Sequence, residues 1–263
     1  MRAYFTVTKG VFISWVIYRF GFFFTLLGNL LYMTLIFFLW KSIYKGSETL
    51  RGMTFNQAFI YLALAGSLFI LFKTYTDWSI SNRVVDGSLI TDLIKPVDFQ
   101  FLTLARTAGM TLFNVLMITI PSILVVFLVF RAEMHFGIGL LFFPLAMVQA
   151  FLISFALDFA VGLTAFYTES LWGISMTKEI VTTLLSGALI PLQFFPDAAQ
   201  RVLKLLPFQA IYNVPLTMVI SPNQGVGIYL GNLGVQLFWV VLLFLLSRWF
   251  YSRAFRVLTV SGG

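Results

Sequence analysis

The run GFFFTLLGNLLYMTLIFFLW, Gly21 to Trp40, carries no charged residue. As a helix it would be about 30 Å long, the thickness of a bilayer's hydrocarbon core. In lipid every backbone N–H and C=O must find an internal partner, so such a run has to become a helix. Five more stretches share its character: Asn56 to Phe72, Thr107 to Phe130 with Pro121 inside, Gly137 to Leu157, Trp172 to Phe195 with Lys178 and Glu179 near its start, and Gly225 to Ser247. Only 10% of the residues are charged, against about 25% in soluble domains. The expected fold is therefore an all-α polytopic membrane protein with six transmembrane helices, forming one domain over residues 1–263. Residues 1–20 have basic residues spread through them and no compact apolar core before a cleavage site. They read as an interfacial helix rather than a leader, with Arg2, Thr6 and Lys9 on one side and Phe5, Phe12, Trp15 and Val16 on another.

Several chemistries are excluded. The chain has no cysteine, which removes disulfides, thiolate metal sites and cysteine nucleophiles. Its one histidine, His135, leaves almost no room for a histidine metal site. No G-x-x-x-x-G-K-[ST] or H-E-x-x-H motif occurs. Gly173-Ile-Ser175 could belong to an intramembrane serine protease, but no base is placed to serve it. The net charge of +7 reads as topology and anionic-lipid contact rather than nucleic-acid binding.

With six spans both termini lie on one side. A cytoplasmic N-terminus puts Arg2, Lys9, Arg19, Lys73, Arg83, Lys95, Arg106, Lys178, Arg248, Arg253 and Arg256 inside, and Lys41, Lys45, Arg51, Arg131, Arg201 and Lys204 outside. That balance predicts both termini cytoplasmic. Asp158 then lies near the inner end of span four, where it reaches water or a partner helix. Glu169, Lys178 and Glu179 are expected beside the same surface.

Two polar segments stand out. Residues 73–106 carry Lys73, Arg83, Lys95 and Arg106 against Asp77, Asp86, Asp92 and Asp98, so their charges cancel. Val85, Leu89 and Leu93 recur at i, i+4 and i+8, with Ile90 and Ile94 beside them. Gly87 permits a bend, and Pro96 follows a stop. This predicts two short cytoplasmic helices whose ridge docks a protein; a solvated loop is the plainer reading. Residues 191–222 contain Pro191, Pro196, Pro207 and Pro215. Between Pro196 and Pro207, the residues Asp197, Gln200, Arg201 and Lys204 share one face, and Ala199, Val202, Leu203 and Leu206 the other. That predicts an outer re-entrant helical hairpin before the last span, with an ordinary amphipathic surface loop as the alternative.

Three local patterns, RVVDGSLITDLIKPVDF, AFYTESLWGI and LLSGALIPLQFFPDAAQRVLKLLPFQAIYNVPLTM, together with this layout, resemble the permease subunit of an ABC-2 type exporter, in the drug or viologen efflux subgroup. The resemblance implies an ATP-driven exporter of a hydrophobic or cationic small molecule, a lipid or a related cargo. It implies a permease dimer whose second subunit is identical or homologous, and two cytoplasmic ABC ATPase subunits that carry the ATP and Mg. This chain itself would bind no cofactor, metal or nucleic acid and catalyse nothing, and its home would be the bacterial plasma (inner) membrane. Arg83, Val85, Asp86, Gly87, Leu89, Leu93 and Pro96 would couple to the ATPase, with Leu89→Asp uncoupling an otherwise normal protein. Pro191, Pro196, Leu203, Leu206 and Pro207 would form an external gate. Phe23, Phe24 and Tyr32 would line the cargo route or face lipid. The alternative is an ATP-independent secondary carrier or channel, for which Asn29, Asn114, Gln149 and Asp158 are the mid-span polar candidates; a non-transporting membrane anchor or assembly factor is a third class.

Overall fold

The computed structural model describes residues 2–17, 20–133, 135–168 and 170–257. Arg19 and Glu169, assigned above to the inner side, lie outside the described residues. In chain order the elements are α1 (Arg2–Ile17), α2 (Phe20–Ile43), a small hairpin of β1 (Thr49–Leu50) and β2 (Met53–Thr54), α3 (Phe55–Phe72), α4 (Thr76–Val85), α5 (Leu89–Leu93), α6 (Phe99–Asn114), α7 (Ile120–Leu128), α8 (Gly139–Gly162), α9 (Trp172–Leu185), α10 (Asp197–Leu203), α11 (Asn213–Ile220) and α12 (Val226–Ala254). Five stretches are long and apolar enough to cross a membrane: Gly21–Ile43, Phe55–Val85, Phe99–Leu128, Gly139–Phe166 and Val226–Ala254.

The expected fifth span is not one continuous helix. Its helical part, α9, has 14 residues and is about 21 Å long, short of a full bilayer core. Gly187 ends it in the left-handed region (φ +85°), packed against the Tyr61 hydroxyl. The chain then runs through a 3-10 turn, Leu192–Phe194, instead of continuing the helix.

The bundle has two ends. The β hairpin, Trp40, Tyr44, Phe130 and Ser221 mark the hairpin end; α5, Asp98 and Ala254 mark the loop end. The hairpin turn has positive φ at Arg51 and Gly52, the backbone of a two-residue type I′ turn. Thr54 and Gln57 then form a reciprocal capping box that starts α3. α3 is apolar on all sides and is the most deeply enclosed helix, with Phe59, Tyr61, Leu62 and Leu68 at the centre of the core. α2 and α12 turn most of their apolar surface outward, as helices facing lipid do. Phe23 and Phe24 are among the outward side chains. In the third span a π turn at Val115–Thr119 precedes Pro121. It shifts the hydrogen-bond ladder by one residue, so that Ile120 bonds back to Val115 and the missing proline N–H is absorbed.

α1 runs lengthwise along α6, parallel to it. Tyr4 meets Phe101, the Thr8 hydroxyl donates to the Ala105 carbonyl at 2.9 Å, and Phe12 and Trp15 meet Phe113. The close approach depends on Gly109: a Cβ there would lie 2.5 Å from the Thr8 carbonyl oxygen. Gly109→Leu should loosen this contact by about 1–3 kcal/mol. Hydrogen exchange of the α1 amides should then quicken while that of α3 is unchanged; unaltered α1 exchange would show that the two helices do not depend on this contact.

Candidate functional site

The segment between α2's partner α3 and α6 bends twice. Tyr75 adopts a left-handed conformation (φ +50°) and turns the end of α3 into α4. Gly87 (φ +73°) separates α4 from α5. The Ser88 N–H donates to Asp86 Oδ1 at 2.8 Å, closing a turn around the glycine. The Ser88 hydrogen bonds hold the Asp86 carboxyl below its ordinary value. The i, i+4, i+8 spacing predicts one ridge from Val85, Leu89 and Leu93, and the structure splits it. Val85 points outward, with Ile90 and Ile94. Leu89 is buried among Ile80, Phe99, Phe155 and Phe159, with Leu93 packed beside it. An i, i+4, i+8 ridge needs an unbroken helix, and the bend at Gly87 changes the register. Leu89→Asp would therefore put a charge into the core, not onto a docking face. Pro96 is exposed between α5 and α6.

Asp92 holds this loop together. Its carboxylate, 2% exposed, accepts from Lys95 at 2.8 Å and from two nitrogens of Arg106 at 2.5 and 2.7 Å, and also pairs with Arg83. One carboxylate thus joins α4, α5 and α6. Burial opposes its ionisation, but the hydrogen bonds from Arg106 and Lys95 and the charges of Arg106 and Arg83 outweigh burial and hold the carboxyl well below the usual carboxylate range. A depressed folded-state value gives stability that is full above the ordinary value of 3.8 and lost as pH falls through the lower, folded one. Asp98 extends the link: its side chain caps α6 and pairs with Arg248 of α12, and its N–H donates to the Tyr4 hydroxyl of α1.

A second ionic centre lies deeper, where α4, α8 and α9 meet. Lys178 Nζ donates to Asp77 Oδ2 at 2.9 Å and to Asp158 Oδ1 at 2.5 Å. Both aspartates are buried. The Thr74 hydroxyl donates to Asp158 Oδ2 at 2.5 Å, and the Thr76 and Thr107 hydroxyls, 2.8 Å apart, join α4 to α6. Gly162 lets α4 come close: a Cβ there would lie 2.8 Å from Ile80 and 3.0 Å from the Asp77 backbone. Of the two surroundings expected for Asp158, water or a partner helix, it is the partner helix that it reaches. Next to this centre, Lys73 pairs with Glu179 at 2.6 Å. Among the described residues, no group of three or more Asp, Glu or His side chains forms a metal-binding cluster.

The segment from 191 to 222 reaches this centre from the other end. Phe194 packs on Trp40, at the hairpin end. α10 follows, starting after Pro196, with Leu203 buried, Leu206 half-buried and Lys204 exposed. Val202, expected on the apolar face, is exposed, while Gln200 folds back to donate to the carbonyls of Gln193 and Phe195. Pro191 and Pro207 are buried. The chain then dips into the bundle. Gln236 of α12 donates to the carbonyls of Ala146 and Ala210. At the tip, buried Tyr212 packs edge-on against Phe72, at the end of α3. α11 climbs back about 12 Å to Ile220, whose carbonyl accepts from Gln57. Tyr212 lines a cavity of about 50 Å³ together with Asp77, Asp158, Lys178, Lys73 and Glu179.

Of the mid-span polar residues, Asn29 donates to Ser67 at 3.1 Å and to Ser122 at 2.6 Å, tying α2 to α3 and α7. Asn114 and Gln149 are buried. In the sequence Asp77, Asp92 and Arg106 appear only as members of the balanced charge set of residues 73–106, and no local motif marks them or Tyr212 as centres. Their partners come from other helices.

Lys178→Met should destabilise the protein by about 3–5 kcal/mol, because two buried carboxylates lose their cation. Neutralising all three, with Asp77→Asn and Asp158→Asn added, should restore much of that loss in thermal unfolding of the detergent-solubilised protein. Equal stability of the single variant and the wild type would mean the centre bears no load. Asp92→Asn should speed hydrogen exchange across residues 86–98, whereas the wild-type loop should stay protected from pH 8 down to about 5.

A family model described as an ABC-2 family transporter protein matches residues 30–262, nearly the whole chain. No match is found among curated proteins. The match covers all the membrane-spanning helices from within α2 onward, the doubly bent loop and the re-entrant segment. The chain thus belongs to the ABC-2 transporter family, as an integral-membrane permease subunit that works with an ABC ATPase.

Proposed function

We propose that this permease is the transmembrane half of an ATP-driven exporter, moving a hydrophobic or cationic small molecule, lipid or related cargo out of a bacterial cell across the plasma membrane. The observation that carries the reading is that α4 ties two ionic centres together, one at each of its ends. Arg83 joins it to Asp92 in the doubly bent loop, and Asp77 joins it to Lys178 on α9, which also holds Asp158 on α8. The re-entrant tip, Tyr212, abuts the second centre. A push on the loop is delivered to the segment that closes the opposite end.

In this reading the loop faces the cytoplasm with both termini, and two ATPase subunits carrying ATP and Mg dock beneath a dimer of this permease with an identical or homologous second subunit. The docking face is the outward side of the bend, Val85, Asp86, Ser88, Ile90 and Ile94. Arg83, Gly87, Leu89, Leu93 and Pro96 shape and hold that face. The external gate is the segment from Pro191 to Pro207, with Leu203 and Leu206 seated and Pro196 starting α10.

Co-expression with the cognate ATPase tests the reading. Ile94→Asp and Val85→Asp should leave the permease folded but abolish copurification and ATP-dependent efflux. Leu89→Asp should lower the yield of folded protein instead. A cysteine at Ser88 should crosslink to the ATPase, and one at Ser47 should not. Leu203→Asp should impair export far more than Lys204→Ala, since an unpaired buried charge costs several kcal/mol and an exposed lysine about 1 kcal/mol or less. Full transport by the permease alone, in vesicles without nucleotide, would instead support the secondary-carrier reading.

A further inference from the structure

Two cavities meet at Glu179, the partner of Lys73. One is the small charged cavity beside Asp158. The other is a chamber of about 780 Å³ between α2, α3 and α9, walled by Tyr32, Phe69, Ile70, Trp172, Met176 and Ile180. Its volume suits a drug-sized molecule. Glu179, Phe69 and Thr183 belong to the walls of both. Among the described residues the chamber is apolar except near Asn29 and the threonines, and the single acidic side chain in its wall is Glu179.

At this junction the protein already holds a cation in a cage. The Lys73 ammonium lies 5.4 Å from the Phe69 ring centroid, 5.3 Å from that of Tyr75, and 2.6 Å from a Glu179 carboxylate oxygen. Two aromatic rings and one carboxylate around a positive charge make a recognition site for an organic cation. The pair is not sealed in: the Lys73 and Glu179 side chains are 32% and 28% exposed.

We propose that the Lys73 ammonium is a tethered stand-in for the cargo. A lipophilic monocation places its apolar body in the chamber and its charged head in the Phe69–Tyr75–Glu179 cage, displacing Lys73. A small ammonium ion has no apolar body and cannot compete with a tethered lysine. A neutral molecule of the same shape fills the chamber but leaves Lys73 on Glu179. Displacement also has a mechanical consequence. Lys73 is the capping residue of α3 and Tyr75 starts α4, so freeing Lys73 from α9 loosens the joint that leads to the ATPase loop. The inference rests on the exporter reading for the meaning of cargo, while the cage stands on its own geometry.

The test is equilibrium binding to the permease–ATPase complex in nanodiscs without nucleotide, using methyltriphenylphosphonium and the neutral triphenylphosphine oxide. Lys73→Met should tighten phosphonium binding by about fivefold or more, and Glu179→Gln should weaken it by about as much. Neither should change binding of the oxide. The Lys73→Met/Glu179→Gln double variant, which leaves no unpaired charge, should bind both probes with no charge preference. Phosphonium affinity that is the same in all four proteins, or oxide affinity that follows it, overturns the proposal. ATP-driven phosphonium uptake into inverted vesicles is read separately: its absence with the binding pattern intact contradicts the exporter reading and leaves the cation site supported.

Discussion

One lysine between two buried aspartates holds the working parts of this permease in register. A buried charge left without a partner costs several kcal/mol. Three charges persist here because each carboxylate faces the Lys178 ammonium and Asp158 also accepts from Thr74. Asp77 belongs to α4, Asp158 to α8 and Lys178 to α9. No apolar contact would force the three helices to move together in the same way, since apolar surfaces slide in lipid with little penalty whereas an ion pair there cannot be broken cheaply.

From this centre the rest of the architecture follows. α4 is fixed at its other end by Arg83 on Asp92, and Asp92 in turn holds α6 through Arg106. Asp98 draws α1 and α12 to the same end. The loop is therefore a braced bracket, not a flexible tether. The re-entrant segment is held by Gln236, Gln57, the seating of Tyr212 on Phe72 and the burial of most of α11.

Hydropathy alone reveals the five stretches long and apolar enough to cross a membrane, because a long apolar run has one stable answer in lipid. It does not register that the stretch from Trp172 to Phe195 is interrupted. Residues 186–195 are largely apolar, but Gly187, in the left-handed region, and Pro191 redirect the backbone, and a hydropathy average does not register a turn. The two short helices of the loop and the bend at Gly87 are legible from glycine and proline. The direction each leucine faces is not, because one positive φ resets the phase. Asp92 and Lys178 are legible as charges but not as centres. Their partners lie on helices brought together only by folding, and cancellation of charge along the sequence conceals that Asp92 alone gathers three cations. The β hairpin before α3 has only Gly52 to announce it.

The central claim is that the Lys178 centre carries movement from the loop to the re-entrant segment. Pulsed electron paramagnetic resonance tests it directly, with spin labels at Ser88 and Val202, both exposed, in the permease–ATPase complex. In the otherwise native protein, a non-hydrolysable nucleotide should shift the distance distribution between the labels. In the Asp77→Asn/Asp158→Asn/Lys178→Met protein the ATPase should still bind nucleotide, but the shift should vanish. The same shift in both proteins would contradict the account.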